Sequence, residues 1–361
     1  MICCGKMKIA ILSVSKKGKE LSSKIKTLLE DDPTIMDVKT VHKNIKTHIN
    51  HIFNEYDAII GIMATGILIR SICSKLQDKY SDPAILSMDD NGKYVISLLS
   101  GHLGGANELS KKIAKLLDIQ EIITTATDIN GKIGIDTLAN KYHWRIKNPK
   151  DILIFNKAIL EDEKVYLLLN NLNNSQSSVN NYIDDLNNYL KNNTLEILDL
   201  KNNDNTIENI DKLALNNVSD EIIAIFNDNL LFLNQKKIVV GIGARAGISK
   251  EKVMIAIEKV MDTLNLPIER IDYLATVEMK KNEKGIIEAS KTFNKPLKIV
   301  NTDEIKNLDS SDISFSEFVN KKFDIPGVCE PSALIVSGVN SKIIHKKIAI
   351  DGVTVAVASS Q

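Results

Sequence analysis

"SLLSGHLGGANELSKKIA" (97–114) sets a histidine between two glycine turns and joins two kinds of periodicity. Upstream, Val95 to Leu99 is an apolar run of strand length. Downstream, Ala106, Leu109, Ile113, Leu116 and Leu117 recur at helical spacing. SGHLGG is therefore a strand-to-helix junction. The same unit recurs along the chain. "MKIAILSV" (7–14) reads as a buried strand ahead of the helical "GKELSSKIKTLL" (18–29), and "YDAIIGIM" (56–63) stands likewise before "ILIRSICSKL" (67–76). "PAILSM" and "YVISLLS" flank "DDNG", a hairpin turn signal. "EIITTA" (121–126) is a further strand, and "GIDTLANKYH" (134–143) opens a further helix. Such alternation predicts an open α/β sheet with helices on its faces.

The pattern breaks at about 170–217, where asparagines crowd "NNLNNSQSSVNNYIDDLNNYLKNN". Paired asparagines favour turns and weaken helices, while the interspersed Leu, Ile and Tyr argue against full disorder. A second unit opens at "KKIVVGIGARAGISKEKVMIAIEKVMDTL" (236–264), with Ser249 in the place of an N-cap. "IDYLATVEM" and "PLKIV" are strand-like, "PSALIVSG" is a short helix, and "KKIAIDGVTVAVA" is a hairpin with an Asp-Gly turn. The expected fold is α/β, with N-terminal and C-terminal sheet domains (1–145 and 236–361) flanking a smaller, variable middle domain (146–235).

Composition narrows the partners. Lysine plus arginine and aspartate plus glutamate number 46 each, so no global field favours nucleic acid or an anionic membrane. Aromatics are only 5%, too sparse for a base-stacking platform. Cys3, Cys4, Cys73 and Cys329 form no CxxC pair and suit a reducing cytoplasm. The opening "MICCGKMKIA" is too short and polar for a signal peptide. The longest apolar run, 58–69, falls short of the roughly 20 residues a membrane span needs. A soluble, cytoplasmic protein is expected.

Two glycine junctions carry the candidate chemistry. At the end of a strand in an open sheet, glycines let a ligand approach, and the first N–H groups of the next helix can bind carboxylate or phosphate. Ser100, Gly101, Gly104 and Gly105 would line such a place. His102 could move a proton at neutral pH, Asn107 could orient a ligand carbonyl, and Glu108 could hold His102 or act as a base. The competing reading is that His102 bonds the loop backbone and Glu108 caps the helix start. In the second junction, "GIGARAGIS" (241–249), the spacing GxGxxxG is a poor dinucleotide fingerprint. Arg245 between Gly241, Gly243 and Gly247 suits a carboxylate. His42, His48 and His51 lack the carboxylate or cysteine that a zinc set needs, so no metal site is expected.

"GHLGGANEL", "ITTATD" (123–128), "GIGARAGIS", "ATVEMKKNEKG" (275–285) and "GVCEPSAL" (327–334) together resemble the cobalt-precorrin-5A hydrolase family (CbiG) of anaerobic cobalamin biosynthesis. The resemblance covers nearly the whole chain except the asparagine-rich middle. It places the family motifs on Ser100, Gly101, His102, Gly104, Gly105, Ala106 and Asn107, and on Gly241, Gly243, Arg245, Lys280, Glu283, Gly285 and Glu330. Ala244 and Ala246 stand where the family loop has Cys and a second Arg, which counts against a catalytic thiol. Pro331 stands where the family has alanine. The resemblance implies a cobalt-bound, ring-contracted tetrapyrrole substrate whose ring A acetate δ-lactone is opened by water. The C20 two-carbon fragment then leaves as acetaldehyde. Cobalt would arrive with the substrate, so no cofactor of the protein's own is implied. On this reading His102 is the expected general base with Glu108 as its partner. Ser100, Gly101, Gly104, Gly105, Asn107, Gly241, Gly243, Arg245, Lys280 and Glu330 would receive the substrate. Neighbouring pathway enzymes are candidate partners. The alternative is a corrinoid-binding or escort protein without catalysis.

Overall fold

The computed structural model describes residues 7–79, 81–169, 176–191, 193–198, 221–308 and 313–360. Cys3, Cys4 and much of the asparagine-rich stretch lie outside the described residues.

The described residues form three sheets. The first is built from β1 (Met7–Ser13), α1 (Lys16–Glu30), β2 (Ile35–His42), α2 (Ile45–Glu55), β3 (Ala58–Ile62), α3 (Thr65–Ile72), β4 (Ala84–Met88), β5 (Tyr94–Leu99), α4 (Ala106–Leu117) and β6 (Gln120–Ile122). Its strand order is β2-β1-β3-β4-β5-β6. The first four strands are parallel and buried on both faces, which is why they read as continuous apolar runs. Ser15 caps α1, accepting from the Gly18 N–H at 2.9 Å. β5 runs antiparallel to β4. The reversal is made by Asp89, whose carboxylate accepts from the N–H groups of Asn91, Lys93 and Tyr94, and by Gly92 at φ +65°.

The strand expected over 121–126 is shorter. The chain leaves β6 after Ile122 and forms α5 (Ala126–Ile129) and then α6 (Ile135–Lys141). The second sheet has the order β7-β11-β10-β8-β9, from β7 (Trp144–Ile146), β8 (Val165–Leu169), β9 (Leu195–Leu198), β10 (Glu221–Phe226) and β11 (Asn229–Gln235). α7 (Ile152–Leu160) and α8 (Gln176–Tyr189) are intercalated in sequence. Ile135, Leu138 and Ala139 of α6 belong to the apolar cluster of this sheet. Residues 135–139, placed in the N-terminal domain by the sequence, thus pack with the second sheet.

The third sheet, β14-β13-β12-β16-β15, comprises β12 (Ile238–Ala244), β13 (Tyr273–Val277), β14 (Leu297–Val300), β15 (Lys342–Ile350) and β16 (Val353–Ser359). Its helices are α9 (Lys250–Thr263), α10 (Lys284–Thr292), α11 (Thr302–Lys306), α12 (Glu317–Phe323) and α13 (Cys329–Ser337). Ser249 precedes α9, yet its side chain makes no capping bond. Pro331 sits in the first turn of α13, where a missing N–H is tolerated. One apolar cluster runs from Tyr142 and Phe155 through Leu231 to Val240, Ile257 and Val355, joining the second and third sheets. No described helix is long and apolar enough to cross a membrane.

Candidate active site

The direction of β5 decides where the SGHLGG junction lies. Leu99, at its end, pairs with Ile85 at the start of β4. The junction therefore sits at the amino edge of the parallel strands, opposite the crevice where strand order reverses between β1 and β3. The hydroxyl of Ser100 confirms the placement by donating to the carbonyl of Asp82, just before β4, at 3.0 Å.

The loop then folds onto the start of α4. The N–H groups of Ala106 and Asn107 donate to the carbonyls of Ser100 and Gly101, at 3.2 and 3.0 Å, and the N–H of Gly105 to His102. The helix donors expected to receive a ligand are thus spent on the loop. Gly104 is required by this fold-back: a Cβ there would lie 2.3 Å from Cβ of Ser100. A Cβ on Gly101 would lie 2.8 Å from Oδ1 of Asn107. Gly105 takes φ +82°.

His102 projects from this loop between two carboxylates. Its Nδ1 lies 3.0 Å from Oδ2 of Asp136 on α6, and its Nε2 lies 2.9 Å from Oδ2 of Asp128 on α5. Thr127 Oγ1 is 3.0 Å from the same Nε2. Burial opposes charging the ring, but the hydrogen bonds to Asp128 and Asp136 outweigh it and raise its pKa to about 9. At neutral pH His102 is an imidazolium with both N–H groups donating. It has no lone pair with which to take a proton, so the expected general base is a cation instead.

Both aspartates are held ionised. Hydrogen bonding to His102 lowers the pKa of Asp128, and Lys111 Nζ, 3.2 Å from its Oδ1, adds to this. Asp136 is more deeply buried, which raises its pKa. Its bonds to His102, Asn156 and the Thr137 N–H outweigh burial and lower it. The side chain of Asp128 is 21% exposed and that of Asp136 only 7%. Asp128 is therefore the carboxylate that can meet an incoming molecule. Tyr189, ending α8, lies near enough to feel the charges of Glu108, Lys111 and Asp128. Lys141 stands 4.5 Å above its ring and donates to the carbonyl of Asn265, beyond α9. All three sheets thus send residues to the surroundings of this site.

The other expected site residues are placed differently. Asn107 is buried and internal: it accepts from Ser97 Oγ and donates to Thr125 Oγ1 and Asp128 Oδ2. Glu108 points outward and pairs with Lys111 at 2.8 Å, so it neither holds His102 nor faces it. Glu330 is buried, accepting from Ser314 N–H and hydroxyl and from the Lys347 N–H. It fixes loops and is closed to substrate. Gly241 and Gly243 admit α13 and Thr354: a Cβ at Gly241 would lie 1.9 Å from the Cys329 carbonyl oxygen. Arg245 is exposed, its N–H donating to Gly352 O. Lys280 lies 3.5 Å from Glu283, which accepts from the Gly247 N–H at 2.8 Å. Arg245 precedes α9 while Asn265 follows it, and a helix of that length spans about 20 Å. Arg245 and Asn265 thus stand at opposite ends of α9.

Sequence reasoning missed Asp136, Thr127, Asn156 and Lys111 as members of the His102 cluster. A polar Asn156 inside the apolar run "DILIFNKAIL" was the available signal.

Fold and site together define an α/β protein in which two sheet domains meet through a third sheet, with a charged histidine–aspartate cluster near the meeting point. Two family descriptions match it: "Cobalamin synthesis G N-terminal" over residues 47–128 and "Cobalamin synthesis G C-terminus" over residues 238–358. The chain is 34% identical to the "Probable cobalt-precorrin-5A hydrolase" of Methanocaldococcus jannaschii, over 98% of this chain and 99% of that protein. It is 24% identical to the "Cobalt-precorrin-5A hydrolase" of Priestia megaterium, over 97% and 94% respectively. The crystal structure of a cobalamin biosynthesis protein G homolog from Sulfolobus solfataricus superposes with a TM-score of 0.57 at 28% identity, covering 98% of this chain and 97% of that one. The chain belongs to the cobalt-precorrin-5A hydrolase family.

Proposed function

We propose that the chain hydrolyses cobalt-precorrin-5A, opening the ring A acetate δ-lactone and releasing the C20 two-carbon fragment as acetaldehyde to give cobalt-precorrin-5B. The observation that carries this reading is the end-to-end match to relatives bearing that enzyme's name. The cobalt ion enters as part of the substrate.

Lactone hydrolysis needs a group to orient and deprotonate water and positive charge for the developing oxyanion. The His102 cluster has both. Asp128 is an ionised, partly exposed carboxylate fixed by His102, Asn107 and Lys111. Its lowered pKa makes it a weak base, one that orients the water and takes its proton as the lactone carbonyl is attacked. His102 and Lys111 supply the fixed positive charge. Ile129, 65% exposed beside Asp128, offers an apolar contact for the macrocycle. Arg245, exposed at the second glycine junction, would serve a carboxylate arm of the macrocycle.

Incubating the purified chain with cobalt-precorrin-5A and measuring acetaldehyde tests the reading. D128N is expected to slow release about 100- to 10,000-fold, and R245A far less. Corrinoid binding without acetaldehyde from the unaltered chain would favour an escort protein. Normal turnover by D128N would remove Asp128 from the chemistry.

A further inference from the structure

We propose that Asp136, held by Asn156, is a positioning residue that fixes the His102 ring against Asp128. The catalytic part of this inference rests on the function proposed above. The geometry of the clamp does not.

The bonds form a directed chain. Asn156 on α7 accepts from the Ile135 N–H through Oδ1 at 2.9 Å and donates through Nδ2 to Asp136 Oδ1 at 2.9 Å. The Thr137 N–H donates to the same oxygen at 3.1 Å. With Oδ1 occupied twice, Oδ2 is left to His102 Nδ1. The ring then has one way to face, and its Nε2 meets Asp128. Asn140, also on α6, lies with Nδ2 3.3 Å from the His102 carbonyl and secures the backbone end of the residue. Gly134 leaves room for the Asp136–Asn156 pair: a Cβ there would lie 2.7 Å from Asp136 Oδ1 and 3.0 Å from the Asn156 amide.

The charged groups facing His102 are Asp128 from α5 and Asp136 from α6. Lys111 and Glu108 of α4 act at one remove through Asp128. Removing the Asp136 charge leaves one carboxylate to hold the proton instead of two. The ring must then lose its proton at lower pH, where the positive charge beside the reacting lactone is lost with it. Asp136 is shielded from an incoming molecule, so this effect reaches the reaction only through His102.

D136N keeps the shape and removes the charge. Its test has two readouts. The first is the titration of the His102 ring by NMR, with H102Q used to assign the signal. The midpoint is expected to fall by at least one pH unit from its value near 9. The second is the pH profile of acetaldehyde release, whose alkaline limb should move down with that midpoint while KM changes little. If D136N does not fold, N156A is measured instead, with a smaller shift in the same direction. An unmoved midpoint in the folded variant overturns the proposal, as does a uniform loss of rate at every pH. Failure of the unaltered chain to release acetaldehyde would instead overturn the proposed function and leave the NMR result standing.

Discussion

His102 holds its proton because two carboxylates reach it from opposite sides, and the charge fixes how the fold responds to pH. Its pKa stands at about 9 in the folded chain against 6.5 ordinarily. The folded state therefore binds the proton more tightly than the unfolded chain. The stabilisation is fully present below pH 6.5 and is lost as pH rises through about 9. H102Q leaves the buried Asp136 without its cation and Asp128 with Lys111 alone. Breaking such a pair costs about 3–5 kcal/mol, which urea unfolding at pH 7 should register. At pH 10 the unaltered chain has lost the same charge, so the gap between the two should narrow. An equal gap at both pH values would mean that the ring acts by shape alone. The histidine was legible in the sequence because glycines isolate it. Its charge was not, since Asp128 and Asp136 stand 26 and 34 residues away and only folding brings them to opposite sides of one ring.

At the scale of elements, glycines that look alike do different work. Gly241 lies in β12 under the first turn of α13, where a Cβ would stand 1.9 Å from the Cys329 carbonyl oxygen. Backbone there cannot yield without lifting α13 from the sheet. Gly247 has φ +74°, and a Cβ there would meet nothing within 4 Å, so alanine meets only the left-handed backbone penalty of roughly 1–2 kcal/mol. G241A is expected to lower the thermal midpoint far more than G247A, as measured by calorimetry of the two variants. The motif spacing could not separate the two roles. It marks where a glycine stands and leaves open whether a helix packed on it or a left-handed backbone requires it. The strand–helix alternation was legible because each element carries its own period, and the Asp-Gly hairpin between β15 and β16 was legible from its turn residues. The Asp89–Gly92 turn was legible too. What it implied for the SGHLGG junction depended on β4 lying in a parallel sheet. Only the pairing of Ile85 with Leu99 moves that junction to the amino edge.

Across the whole molecule, apolar packing and polar ties divide the work unequally. The first sheet has its own apolar clusters on its two faces, whereas the second and third sheets share one. Arg270 stands at the seam of the shared cluster, 2% exposed. Its guanidinium donates to the carbonyls of Tyr142, His143 and Lys236 and pairs with Asp272 at 2.9 Å. These carbonyls lie where the chain leaves α6 for β7 and where β11 hands over to β12. The first domain meets the rest through Leu103, which packs against that shared cluster, and through polar ties such as His102 with Asp136 and the Lys346 N–H with the Pro33 carbonyl at 2.8 Å. R270M would strip the Arg270 donors from the buried carbonyls of Tyr142 and Lys236, the His143 carbonyl keeping the Lys236 N–H, and leave Asp272 without its ion-pair partner, a loss of about 3–5 kcal/mol. That loss should fall on the second and third sheets together, because one core serves both. Hydrogen exchange is expected to show faster opening in β8, β10 and β12, with β1 and β3 keeping their protection. Equal acceleration in all three sheets would mean that Leu103 and the polar ties bind the first sheet into a single cooperative unit.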